Sequence, residues 1–159
     1  MTKNDILRRL RYALQINDGQ MAEIIGLTGE KVEAAQMSAW TKGEADEGCE
    51  ELSDRMLCRF LDGLIIQKRG PLPDGSVAAP LEFLSNNEVL RKLRIAFEYR
   101  DEDMNKVFER VEFVVTKAEL SSFFRKEGHR NYRKCPEQVL RKFLQGLSKG
   151  VGQPEEEKS

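Results

Sequence analysis

The chain has 159 residues, 40% of them apolar and 33% charged, with a formal net charge of −1. That length suits one domain or two small packed ones, with enough apolar side chains for a core, and no apolar run approaches the roughly 18 residues that mark a membrane span. Ten basic face fourteen acidic residues over 1–83, and sixteen face thirteen over 84–159, so neither half has the excess positive charge of a dedicated nucleic-acid binder.

The opening residues Met1-Thr2-Lys3-Asn4-Asp5 lack the apolar stretch of a secretory signal. Apolar residues at helical spacing (Ile6, Leu7, Leu10, Ala13, Leu14) predict a first helix over 4–16, with Asn4 as its cap. Asp18 is the next predicted cap, and Met21, Ile24 and Ile25 make a short second helix that Gly26 and Gly29 break. A third helix is predicted over 32–42 and a fourth from Ser53 through Lys68, the latter with Leu57, Phe60, Leu61, Leu64 and Ile65 on one face. Gly70, Pro71, Pro73, Gly75 and Pro80 punctuate a linker over 69–86. Its Leu81, Phe83 and Leu84 are apolar enough to dock on the surface.

The same pattern then begins again. Asn4-Asp5-Ile6-Leu7-Arg8-Arg9-Leu10-Arg11 returns as Asn87-Glu88-Val89-Leu90-Arg91-Lys92-Leu93-Arg94, an offset of 83 residues. At that offset Met21 falls on Met104, Val32 on Val115, Trp40 on Phe123, and Phe60-Leu61-Asp62-Gly63-Leu64 on Phe143-Leu144-Gln145-Gly146-Leu147. The chain is a tandem duplication. Residues 1–68 form one unit and 87–149 the other, and 150–159 form a polar tail expected to be disordered. In the second unit Thr116 with Glu119 gives a capping-box signature, and Pro136 sits near the start of the last helix. A glycine inside the fourth helix of each unit, Gly63 and Gly146, costs helix propensity, which predicts that another helix crosses there too closely for a Cβ. No stretch alternates as a strand does. The fold class is all-α: two tandem four-helix repeats with pseudo-twofold symmetry, packed face to face through their apolar stripes.

These segments also carry a family resemblance. Asn4-Asp5-Ile6-Leu7-Arg8, Phe60-Leu61-Asp62-Gly63-Leu64-Ile65 with Lys68-Arg69-Gly70, the run Asn86 to Phe97, and Phe143-Leu144-Gln145-Gly146-Leu147 resemble the YehS-like bacterial proteins. That is a domain-of-unknown-function family with two copies of this unit. The resemblance implies a bacterial cytosolic protein with no settled activity and no catalytic residue to carry over.

The chemistry-bearing residues are sparse. Three cysteines without a Cys-x-x-Cys read as reduced thiols in a cytoplasmic protein. The single histidine, His129, has no nearby ligand set for zinc and no nucleophile-elbow motif, and no phosphate-cradling glycine loop occurs. No metal or cofactor is expected, and the chain does not read as an enzyme. Arg8 and Arg11, and their equivalents Arg91 and Arg94, lie at i,i+3 on the first helix of each unit and are candidate contacts for an acidic or phosphate-bearing ligand. Asp5 and Glu88 are close enough to neutralise them as surface ion pairs.

The loop before each fourth helix is acidic in the first unit (Glu44, Asp46, Glu47, Glu50, Glu51). In the second it is basic (Arg125, Lys126, His129, Arg130, Arg133, Lys134), with Tyr132 among the cations. Opposite signs at equivalent positions suggest that the loops attract, within one chain or between two. The expectation is a non-enzymatic binding or protein-interaction module that engages a protein partner or itself. The alternative is a helix-turn-helix-like nucleic-acid-binding or regulatory protein. Ala22 and Gly26 match that motif, but the spacing to Trp40 is too long, and residues 33–41 offer no cation for a major groove.

Overall fold

The computed structural model describes residues 1–150. The described residues form eight helices and no strand: α1 (Lys3–Leu14), α2 (Asp18–Gly26), α3 (Ala34–Thr41), α4 (Asp54–Arg69), α5 (Asn86–Phe97), α6 (Asp101–Glu109), α7 (Lys117–Phe124) and α8 (Glu137–Gly150). The last four start 83 residues after the first four. The predicted polar tail lies, apart from Gly150, outside the described residues.

Local chemistry starts and stops these helices. Thr2, not Asn4, caps α1: its hydroxyl accepts from the Asp5 N–H, and the Asp5 carboxylate accepts from the Thr2 N–H. Asn17, not Asp18, caps α2 in the same reciprocal way with Gln20. Thr116 and Glu119 form the predicted box on α7. Ser53 and Ser85 cap α4 and α5. The first helix of each repeat ends on a left-handed residue, Gln15 at φ 54° and Glu98 at φ 56°. The turn after each second helix also needs positive φ: Gly29 supplies it at 91°, whereas its equivalent Glu112 adopts 52° with a full side chain.

The repeats interlock reciprocally. α1 packs along α8, and α5 packs along α4, so each repeat lends its first helix to the other repeat's last. Ile6, Leu7, Leu10, Phe60, Leu61 and Leu64 join Val89, Leu90, Leu93, Phe143 and Leu144 in one core, all almost fully buried. One unit alone would leave its α1 and α4 stripes facing water, at roughly 1.5–3 kcal/mol for each large side chain uncovered.

The two helical glycines mark the crossings that the sequence predicts. A Cβ on Gly63 would lie 2.0 Å from the carbonyl oxygen of Ile24, and one on Gly146 would lie 2.2 Å from that of Val107. Met37, Leu120 and Phe123 are buried, and Trp40 packs half-buried against the core. The linker docks only in part. The Leu84 N–H donates to Asp54 at 2.8 Å and its side chain is buried, while Phe83 stays 88% exposed.

Candidate functional site

The four stripe arginines are not gathered into one site. Arg8 ion-pairs with Asp5 and donates to the Lys42 carbonyl at 2.7 Å. Arg11 pairs with Asp18 at 3.1 Å. Arg91 pairs with Glu88 at 3.3 Å and reaches the Phe124 carbonyl at 3.5 Å. Arg94 pairs with Asp101 at 2.7 Å, donates to the Tyr99 carbonyl at 3.0 Å, and lies 4.6 Å from the Phe124 ring centroid. Arg8 and Arg91 thus tie the first helix of each repeat to the carbonyl end of the third, where positive charge is favoured. Burial works against the Asp5 carboxylate, but the Thr2 N–H and the Arg8 guanidinium outweigh it and hold its pKa below the usual carboxylate range.

A deeper fastening lies one turn away, at the residue the sequence reads as a cap. Asn4 is buried. Its amide donates to the Trp40 and Glu50 carbonyls at 2.9 and 2.8 Å and accepts from the Leu52 N–H at 2.9 Å. Asn87 repeats this with the Phe123 and Arg133 carbonyls and the Cys135 N–H, at 3.1, 2.8 and 2.8 Å. Each asparagine therefore holds both ends of the charged loop in its own repeat.

Between those fixed ends the loop charges face solvent. Glu44, Asp46, Glu47, Glu50 and Glu51 are exposed, as are Arg125, Lys126, His129, Arg130, Arg133 and Lys134. Among the described residues no ion pair joins the two loops. Glu50 accepts from Gln36 at 2.7 Å, and Arg133 donates to the neighbouring Tyr132 carbonyl at 3.2 Å. His129 accepts at Nδ1 from the Asn131 N–H at 3.0 Å. Among the described residues no group of three or more His, Cys, Asp or Glu is placed to hold a metal ion. Cys58 and Cys135 are buried; burial pushes the Cys135 thiol up to about 12.

One cleft was not anticipated. It runs along the α1–α8 contact and the turn after α6, has a volume of about 860 Å³, and is lined by Arg8, Arg9, Tyr12, Arg110, Lys142 and Gln145 among others. Arg110 donates to the Gly146 carbonyl at 3.1 Å. Tyr12 is 73% exposed on the same face. Arg8 belongs to this cleft; Arg91 and Arg94 are not among its lining residues.

Comparison with known proteins bears on the whole length. Residues 3–70 and again 86–150 match the family described as "Protein of unknown function (DUF1456)". The chain is 37% identical over 148 residues to "Uncharacterized protein YehS" of Escherichia coli (strain K12), covering 93% of this chain and 95% of that protein. No solved structure matches.

Proposed function

The chain belongs to this family of proteins of unknown function, and within it we propose that the protein is a non-enzymatic binding module that associates with a second copy of itself through its oppositely charged loops. The observation that supports this reading is the state of those loops. Both are anchored at their ends by a buried asparagine, both present their charges to water, and within the chain the two sets leave each other unpaired among the described residues. Anchored loops of opposite sign attract their counterparts on a second chain with little ordering cost, and such complementarity sets orientation and on-rate.

The basic loop alone supports a second reading. Arg125, Lys126, Arg130 and Lys134 share this loop with the half-buried Tyr132, a composition that suits phosphate contacts on nucleic acid. The helix-turn-helix region argues against DNA reading through α3. Residues 27–33 separate α2 from α3, longer than that motif's turn, and α3 itself carries no basic residue.

Solution mass at low and high salt, with and without a short DNA duplex, separates the readings. Self-association predicts a low-salt dimer that dissociates in high salt, ignores the duplex, and is lost in the Arg130→Glu, Lys134→Glu double variant. A duplex complex whose affinity falls steeply with salt moves the assignment to nucleic acid. A monomer at every salt that ignores DNA overturns both.

A further inference from the structure

The duplication supplies an internal comparison for the cleft along α1 and α8. Its counterpart is the α4–α5 contact, reached by moving each residue 83 positions. On that side Lys92 lies 2.6 Å from Asp62, with the two side chains 15% and 7% exposed, and Arg59 lies 3.5 Å from Glu30. The linker also covers part of that contact, with the Leu81 N–H 3.4 Å from the Cys58 sulfur. Three of these four residues have equivalents in the lining of the open cleft, and the fourth equivalent, Phe113, packs against the core beside Phe108 instead. The cations are kept: Lys92 corresponds to Arg9, and Arg59 to Lys142. The carboxylates are not: Asp62 corresponds to Gln145, and Glu30 to Phe113. Arg9 and Lys142 accordingly have no ion pair or hydrogen bond among the described residues, while Arg8 and Arg110 line the same cleft. Glu109 and Glu112 are the acids in its lining.

We propose that the α1–α8 cleft is a binding site for a phosphorylated small molecule, with Arg9 and Lys142 as its principal anion contacts. Two cations whose carboxylates have been replaced make a site that attracts an anion from solution. The cationic groups come from three directions: α1, the turn after α6, and α8. A phosphoryl group accepts hydrogen bonds around a tetrahedron and takes the planar guanidinium fork bidentately. The cleft volume falls in the range of sites for whole small molecules, roughly 300–1,000 Å³, larger than orthophosphate needs. The exposed Tyr12 ring, standing where the other side has Ile95, offers a flat face to the organic part of the ligand. This site is separate from the charged loops, and either proposal stands without the other.

Calorimetric titration of the full chain at low salt tests it, with inorganic phosphate, pyrophosphate, ADP and citrate as probes. Pyrophosphate and ADP are expected to bind more tightly than orthophosphate or citrate. Arg9→Gln and Lys142→Gln are each expected to weaken both by on the order of tenfold, the loss of one charge-assisted contact, with thermal unfolding unchanged because neither side chain has an ion pair or hydrogen bond among the described residues. Tighter binding of ADP than of pyrophosphate, with that advantage lost in Tyr12→Ala, identifies an organic phosphate ester; equal binding identifies free polyphosphate. Absence of binding by every probe, affinities unmoved by both substitutions, or citrate matching pyrophosphate overturns the proposal. So does a short duplex that displaces ADP and loses affinity in the same two variants, which places nucleic acid in the cleft.

Discussion

Alanine at Gly63 is expected to destabilise this protein although alanine is the better helix former. In an open helix the exchange gains about 1 kcal/mol. Here the new Cβ lies 2.0 Å from the Ile24 carbonyl oxygen and 3.0 Å from the Ile24 methyl carbon. Carbon–oxygen contacts in packed backbones settle at about 3.3 Å or more, so α2 must retreat from α4 by roughly 1.3 Å. That retreat loosens Met21, Ile24 and Ile25, all buried by α2. Overpacking of this kind costs about 1–3 kcal/mol and occasionally more, and the obstacle is backbone, which cannot swing aside. A net loss of about 2 kcal/mol is expected, a fall of about 1 M in the urea midpoint at the slope usual for a chain of this size. Gly146→Ala meets the Val107 carbonyl at 2.2 Å and should lose a similar amount. Gly26→Ala is the control: nothing lies within 4 Å of its Cβ, so its midpoint should hold or rise. A Gly63→Ala midpoint equal to or above that of the parent chain refutes the crossing argument.

Asn87→Ala removes three hydrogen bonds and strands the Cys135 N–H, so it should cost about 3 kcal/mol in urea unfolding and raise hydrogen exchange at Cys135; an unchanged midpoint sinks the anchoring role. Lys92→Met leaves the Asp62 carboxylate buried without its cation and should cost about 3 kcal/mol, most of which Asp62→Leu in the same chain should restore. Glu112→Gly relieves a side chain at φ 52° and should raise stability by about 1 kcal/mol, read as a higher melting temperature. Asp5 has a folded pKa below its unfolded value, so its contribution is present above the ordinary carboxylate range and is lost as pH falls through the folded pKa. Asp5→Asn should therefore be less stable than the parent at neutral pH, with the gap closing in acid; a constant gap refutes a contribution from the ionised carboxylate to the Thr2 N–H and Arg8.

The repeat and its helices were legible because core positions preserve their chemistry at a fixed offset. Gly63 and Gly146 were legible for the same reason, since a costly residue in both copies implies a shared contact. Asn4 was misread because a polar residue at a helix start fits a cap equally well. Only the packing of α1 beneath α3 shows that Thr2 does the capping and that the Asn4 amide turns inward to the Leu52 N–H. The cleft was out of reach for a different reason. Its signature is a pair of missing carboxylates, Gln145 for Asp62 and Phe113 for Glu30. An absence registers only after the Lys92–Asp62 and Arg59–Glu30 pairs have been seen.

The reciprocal exchange of helices between repeats has a consequence for how the chain is made. α1 finds its main partner in α8, with more than a hundred residues between them. At ribosomal speeds of about 5–20 residues per second, α1 emerges several seconds before the surface that covers its Ile6, Leu7 and Leu10. α4 and α5 are separated only by the linker and can pair first. Folding should thus proceed from the middle outward, with the α4–α5 hairpin as the seed and α1 docking last. During synthesis α1 is the segment most exposed to chaperones, and a chain stalled before residue 137 should hold a formed centre and an unseated amino-terminal helix.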